Sequence, residues 1–149
     1  CLVGSEMCIR DSPRSVFERI HFHEELTSYG HEDTLYGKDL QAEGIVMRYI
    51  DNPVFHDIFD SSETFLEKTE TGLLNACRYP NLMKGHVRIL DIQQRCKRAG
   101  LQPLIRFLFA IFEKPLRRNL LGKRPKLRAF DLYKLGYICR LDHRMKQAR

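Results

Sequence analysis

Ile45-Val46-Met47-Arg48-Tyr49-Ile50 is the stretch on which the fold turns. It is short, apolar and rich in β-branched residues, and that pattern predicts a strand. Asp51-Asn52-Pro53 closes it, because proline cannot donate to a ladder and the two Asx residues favour a turn. With this strand the chain is α/β. Without it the chain reads as a small all-helical protein, since its neighbours carry helical spacing.

Immediately upstream, Thr34 to Glu43 is predicted to be a helix, with Leu35, Tyr36 and Leu40 on one face and Gly44 as its stop. Ahead of it stands Tyr29-Gly30-His31-Glu32-Asp33, where a glycine supplies the positive φ of a tight turn. Glu32 and Asp33 then fall at the helix N-terminus, where backbone N–H groups and the helix dipole stabilise negative charge. Two readings stay open. Asp33 is an N-cap worth roughly 1 kcal/mol, or one carboxylate is a general base facing a cleft. The two are compatible.

Downstream, Asp60 and Glu63 have the spacing of a capping box at the head of a helix that runs to about Tyr79. Leu66, Leu73 and Cys77 mark its buried face, while Glu63, Glu67, Lys68 and Glu70 read as its solvated side. Another helix is predicted from His86 to Arg98, ending at Gly100.

Several of these pieces share a pattern. Phe22-His23-Glu24, Tyr29-Gly30-His31-Glu32-Asp33, Ile50-Asp51-Asn52-Pro53 with His56, and Phe65-Leu66-Glu67-Lys68-Thr69-Glu70 resemble, over residues 16–80, the acceptor-side half of a family 2 glycosyltransferase. That family has the nucleotide-sugar fold called GT-A. The resemblance implies an α/β fold, here the C-terminal part of a GT-A domain followed by a mostly helical basic tail. It implies transfer of a sugar, with inversion, from a nucleotide-diphospho-sugar donor to a glycan or lipid-linked acceptor hydroxyl.

Asp33 would be the base and Glu32 its neighbour, orienting it or contacting the acceptor. Tyr29, Gly30 and His31 would shape the acceptor loop. His56 would help hold a divalent cation, Mn²⁺ or Mg²⁺, on the donor's diphosphate. Two departures from the pattern stand out: the family often has Phe-Asp-Glu where this chain has His23, and no Asp-x-Asp occurs anywhere. The resemblance implies a bacterial enzyme, and the second departure implies a fragment of it that is inactive without an upstream donor-binding half.

Residues 1–11, Cys1 through Asp11, show neither strand nor helix periodicity and resemble translated sequencing-adapter text. The expected organisation is therefore residues 1–11 non-native, 12–80 transferase and 81–149 basic extension. Charge follows that division. Residues 1–80 hold 7 Lys/Arg against 15 Asp/Glu, whereas residues 81–149 hold 18 against 4. An acidic half suits catalysis or metal, and a basic half suits an anionic surface.

The five cysteines have neither zinc-site nor disulfide-scaffold spacing, which reads as reduced thiols in a cytoplasmic protein. No apolar run reaches the roughly 18 to 20 residues that cross a bilayer. Residues 104–112 carry one charge between Pro103 and Pro115 and are predicted to form a buried or interfacial helix. Arg117-Arg118 and Lys123-Arg124-Pro125-Lys126-Leu127-Arg128 follow, then Phe130, Tyr133 and Tyr137. Cations interleaved with aromatics fit peripheral contact with anionic lipid on the inner face of the cell membrane.

The alternative is a non-enzymatic basic module that binds nucleic acid or membrane. No helix-turn-helix, zinc-finger, RNP or KH signature supports nucleic acid.

Overall fold

A computed structural model describes residues 12–24, 30–48, 60–83, 85 and 87–147. The described residues form seven helices and no strand: α1 (Arg14–Phe17), α2 (Glu32–Ala42), α3 (Ser62–Arg78), α4 (Pro80–Met83), α5 (Arg88–Arg98), α6 (Gln102–Leu120) and α7 (Leu127–Gln147). The fold is all-helical, and the α/β GT-A expectation is overturned.

Residues 45–48 show why. They have no regular structure, and Val46 is 80% exposed. Strand propensity measures fit to a pleated, half-buried surface, and the described residues offer no second strand to pair with. Only Ile45 turns inward, against the Ile20, Tyr36 and Leu40 cluster.

The last helix organises the rest. α7 packs against α6, α3 and α5. With α6 it forms an antiparallel hairpin: Gln102 reaches Asp142 near one end, and Phe109 meets Gly136 near the middle. The approach there is so close that a Cβ on Gly136 would lie 2.2 Å from the Phe109 ring. α3 runs the same way as α7, with Phe65 beside Phe130 and Glu70 beside Tyr133.

The main core joins Leu35 of α2, Leu73 and Ala76 of α3, Met83 of α4, Leu90 of α5, and Ile138 and Cys139 of α7. It thus draws on both sides of residue 80. A second cluster, Leu66, Phe109, Leu120 and Tyr133, fills the space between α3 and the hairpin.

Two helix boundaries differ from expectation. The cap of α3 is Ser61, whose Oγ accepts from the Thr64 amide at 3.1 Å. Asp60 pairs instead with Lys68 at 2.7 Å, so the Asp60/Glu63 capping box does not form. And α6 continues through Pro115 to Leu120. Pro115 lies on the exposed side, where water can serve the carbonyl that its missing N–H leaves unbonded. No described helix is long and apolar enough to cross a membrane.

Candidate functional site

The acidic turn sits where the sequence places it, at the head of α2, but its geometry differs. The N-cap is His31, in the left-handed region at φ 73°, and it makes no side-chain cap hydrogen bond. Among the described residues His31 is the one non-glycine residue with positive φ. Asp33 is therefore not the N-cap. It lies inside the first turn, where its Oδ1 accepts from the Thr34 amide at 2.8 Å. Glu32 folds back, and its Oε2 accepts from the Gly30 amide at 2.7 Å.

A two-glycine contact seats this turn. Gly30 has φ 118°, and a Cβ there would lie 2.8 Å from the Gly72 Cα of α3. The His31 ring lies 3.7 Å from where a Gly72 Cβ would stand. It is Gly30 that must lack a Cβ for this approach; a Cβ on Gly72 would make only ordinary contact with the His31 ring. The buried Leu35 and Tyr36 then hold α2 onto the body from below the turn.

His23, the departure from the family pattern, has a structural partner. Its Nε2 lies 2.8 Å from Asp39 Oδ2, which ties the segment after α1 to the middle of α2. Phe22 stacks on Tyr36 with ring centroids 4.5 Å apart. Beside them is an open hollow of about 310 Å³, lined by Arg19, Ile20, His21, His23, Asp39, Ala42 and Glu43. It lies over the C-terminal half of α2, away from Glu32 and Asp33. Of the expected site residues, Gly30, His31, Glu32 and Asp33 come together; Tyr29 and His56 lie outside the described residues. Among the described residues no group of three or more His, Cys, Asp or Glu could hold a metal ion.

Compared with protein-family models, curated proteins and solved structures, the chain finds no match in any of the three.

A second polar cluster escaped the sequence reading. Glu70 is not on a solvated side: its Oε1 accepts from the Tyr133 hydroxyl at 2.6 Å and from Arg117 at 3.0 Å. Burial, reinforced by the bond to Glu70, pushes the Tyr133 phenol well above its ordinary range. A signal did exist, because Glu70 follows Leu66 by four residues and precedes Leu73 by three, which puts it on the buried face. Its partners, 47 and 63 residues away, left no such trace.

The thiols are quiet. Burial raises Cys77 to about 12 and Cys139 to about 11, so neither is poised as a nucleophile.

Proposed function

We propose that this chain is the acceptor-side part of a sugar-transferring enzyme of the family 2 glycosyltransferase kind, with Asp33 as its general base. The observation that carries the reading is the seating of paired carboxylates on a strained turn. Gly30 and His31 both hold positive φ, the turn is pressed onto Gly72, and Glu32 is tied back to the Gly30 amide. The N-cap residue His31 makes no side-chain cap hydrogen bond, and a non-glycine left-handed residue costs roughly 1–3 kcal/mol. Strain of this kind gathers where a group must be held in one orientation.

The chemistry asked of these residues is limited. Asp33 would take the proton from an acceptor hydroxyl as it attacks the sugar's anomeric carbon, and Glu32 would fix the loop that presents Asp33. The leaving nucleoside diphosphate belongs to a donor-binding half outside the present sequence. The described residues do not by themselves make up a metal site, and the proposal gives them no step through a cation.

The test is a transfer assay on the chain joined in frame to the coding sequence upstream of Ser12 in its source genome. Acceptor-dependent release of nucleoside diphosphate is expected. Asp33→Asn should lower the rate about 10²- to 10⁴-fold while leaving the melting temperature unchanged. An Asp33→Asn enzyme of undiminished rate sinks the assignment of the base. An upstream frame without an Asp-x-Asp sinks the transferase reading itself.

A further inference from the structure

α6 turns to solvent an apolar face that none of the described residues covers. Leu104, Phe107, Leu108, Ile111 and the flanking Phe112 are between 43 and 63% exposed. The first four recur at three- and four-residue spacing, which places them along one side of the helix. Phe109 and Leu120 alone in α6 are buried, on the opposite side against α7. Large aliphatic and aromatic side chains aligned in this way are more than the scattered apolar exposure of an ordinary surface.

Charge around this face has one sign. Between Leu104 and Arg128 the only carboxylate is Glu113, and it points inward to Arg140 at 2.5 Å. Arg117 is likewise drawn inward, to Glu70. The cations left outside are Lys114, Arg118, Lys123, Arg124, Lys126 and Arg128, all exposed and none ion-paired among the described residues. They cluster at the C-terminal end of the apolar face and in the turn that follows. Leu121 of that turn and Leu127 at the head of α7 add to it, both exposed. Asn119 braces the turn by accepting the Lys126 amide at 3.0 Å.

We infer that α6, the 121–126 turn and the first residues of α7 form a docking surface for an anionic lipid membrane. α6 lies in the plane of the interface with Leu104, Phe107, Leu108 and Ile111 sunk among the acyl chains. The six cations sit at headgroup level. Inward charges at Arg106, Glu113 and Arg117 keep the helix from spanning, and it lies flat instead. Aliphatic side chains separate this surface from a nucleic-acid groove. Leu104, Leu108, Ile111 and Leu127 offer neither a stacking plane nor a hydrogen bond to a base, whereas hydrocarbon accepts them all. The inference stands independently of the transferase reading.

The test is co-sedimentation of the full chain with phosphatidylcholine vesicles, with and without phosphatidylglycerol. Wild type should partition onto the anionic vesicles, and less so as salt is raised. Phe107→Glu with Ile111→Glu should lower partition at least about tenfold. Lys123→Glu, Arg124→Glu and Lys126→Glu together should lower it at least about 100-fold. All five positions are exposed, so circular dichroism should show unchanged folding.

The chain has no tryptophan. Phe107→Trp therefore gives a single tryptophan emission, which should shift to the blue on anionic vesicles. An emission that stays put, or anionic binding untouched by the two apolar substitutions, overturns the inference. So does nucleic-acid binding without vesicle binding. A dimer that the Phe107/Ile111 variant dissolves, again without vesicle binding, assigns the face to a second copy.

Discussion

α2 and α6 use their apolar residues in opposite ways. In α2 the large apolar side chains, Leu35, Tyr36 and Leu40, are all buried, and what remains outside is polar. In α6 the buried pair is outnumbered by the exposed apolar residues on the far side. Every large apolar side chain of α2 is thus accounted for by contacts within this chain. Half of α6 is not, although its seat on α7 is the tightest contact in the described fold. A helix can therefore be firmly part of a core and still carry a face whose purpose lies elsewhere.

That comparison can be broken most directly at the seat of α6. Gly136→Ala drives a Cβ into Phe109, whose ring is already fixed edge-on against Tyr133 at 5.5 Å. Overpacking of this kind should cost about 1–3 kcal/mol, read as a fall in denaturation midpoint with an unchanged denaturant slope. A midpoint equal to wild type would mean that α6 rests loosely on α7.

The seat of α2 should yield less. Gly30→Ala meets both a positive φ and the Gly72 backbone, yet the turn lies at the edge and can lift away locally. About 1 kcal/mol or less of global stability is expected, with faster amide exchange confined to the first turn of α2. Gly72→Ala, whose new methyl makes only ordinary contacts with His31, should be neutral or stabilise α3 by up to about 1 kcal/mol. If Gly30→Ala unfolds the protein as broadly as Gly136→Ala, the two regions do not differ as described.

A third effect, read through pH, concerns the core they share. Cys77 and Cys139 have ordinary values of 9.0, raised by burial to about 12 and about 11. Below pH 9 both the folded and unfolded chains hold these protons. Above it the unfolded chain releases them first and binds fewer protons than the folded one, so stability falls as pH rises from 9 toward 11 and 12. Urea midpoints at pH 8, 9.5 and 10.5 check this sign. A Cys77→Ala, Cys139→Ala chain should show a flatter decline, with a residual slope from Tyr133.

Much of the local structure was legible because it is written locally. Leu35, Tyr36 and Leu40 at helical spacing marked α2, and Gly44 and Gly100 end their helices with φ 71° and 68°. The acidic turn was found on the same grounds. What the sequence did not disclose depends on distant partners. Residues 45–48 have strand composition but no neighbour to pair with. Glu70 takes its role from Arg117 and Tyr133, and His23 from Asp39. Gly72 and Gly136 were long-range clues in plain view, since a glycine in mid-helix marks a place where another part of the chain comes close.

The placement of α7 has a consequence for how the chain is made. Tyr133, Ile138 and Cys139 complete both larger clusters, yet they leave the ribosome after every residue of α2 to α6 that they cover. Until they emerge, Leu73, Leu90 and Phe109 have nothing to close over them. Synthesis therefore yields a string of partly formed helices whose sticky faces stay open until α7 follows, and protection by chaperones matters most in that interval.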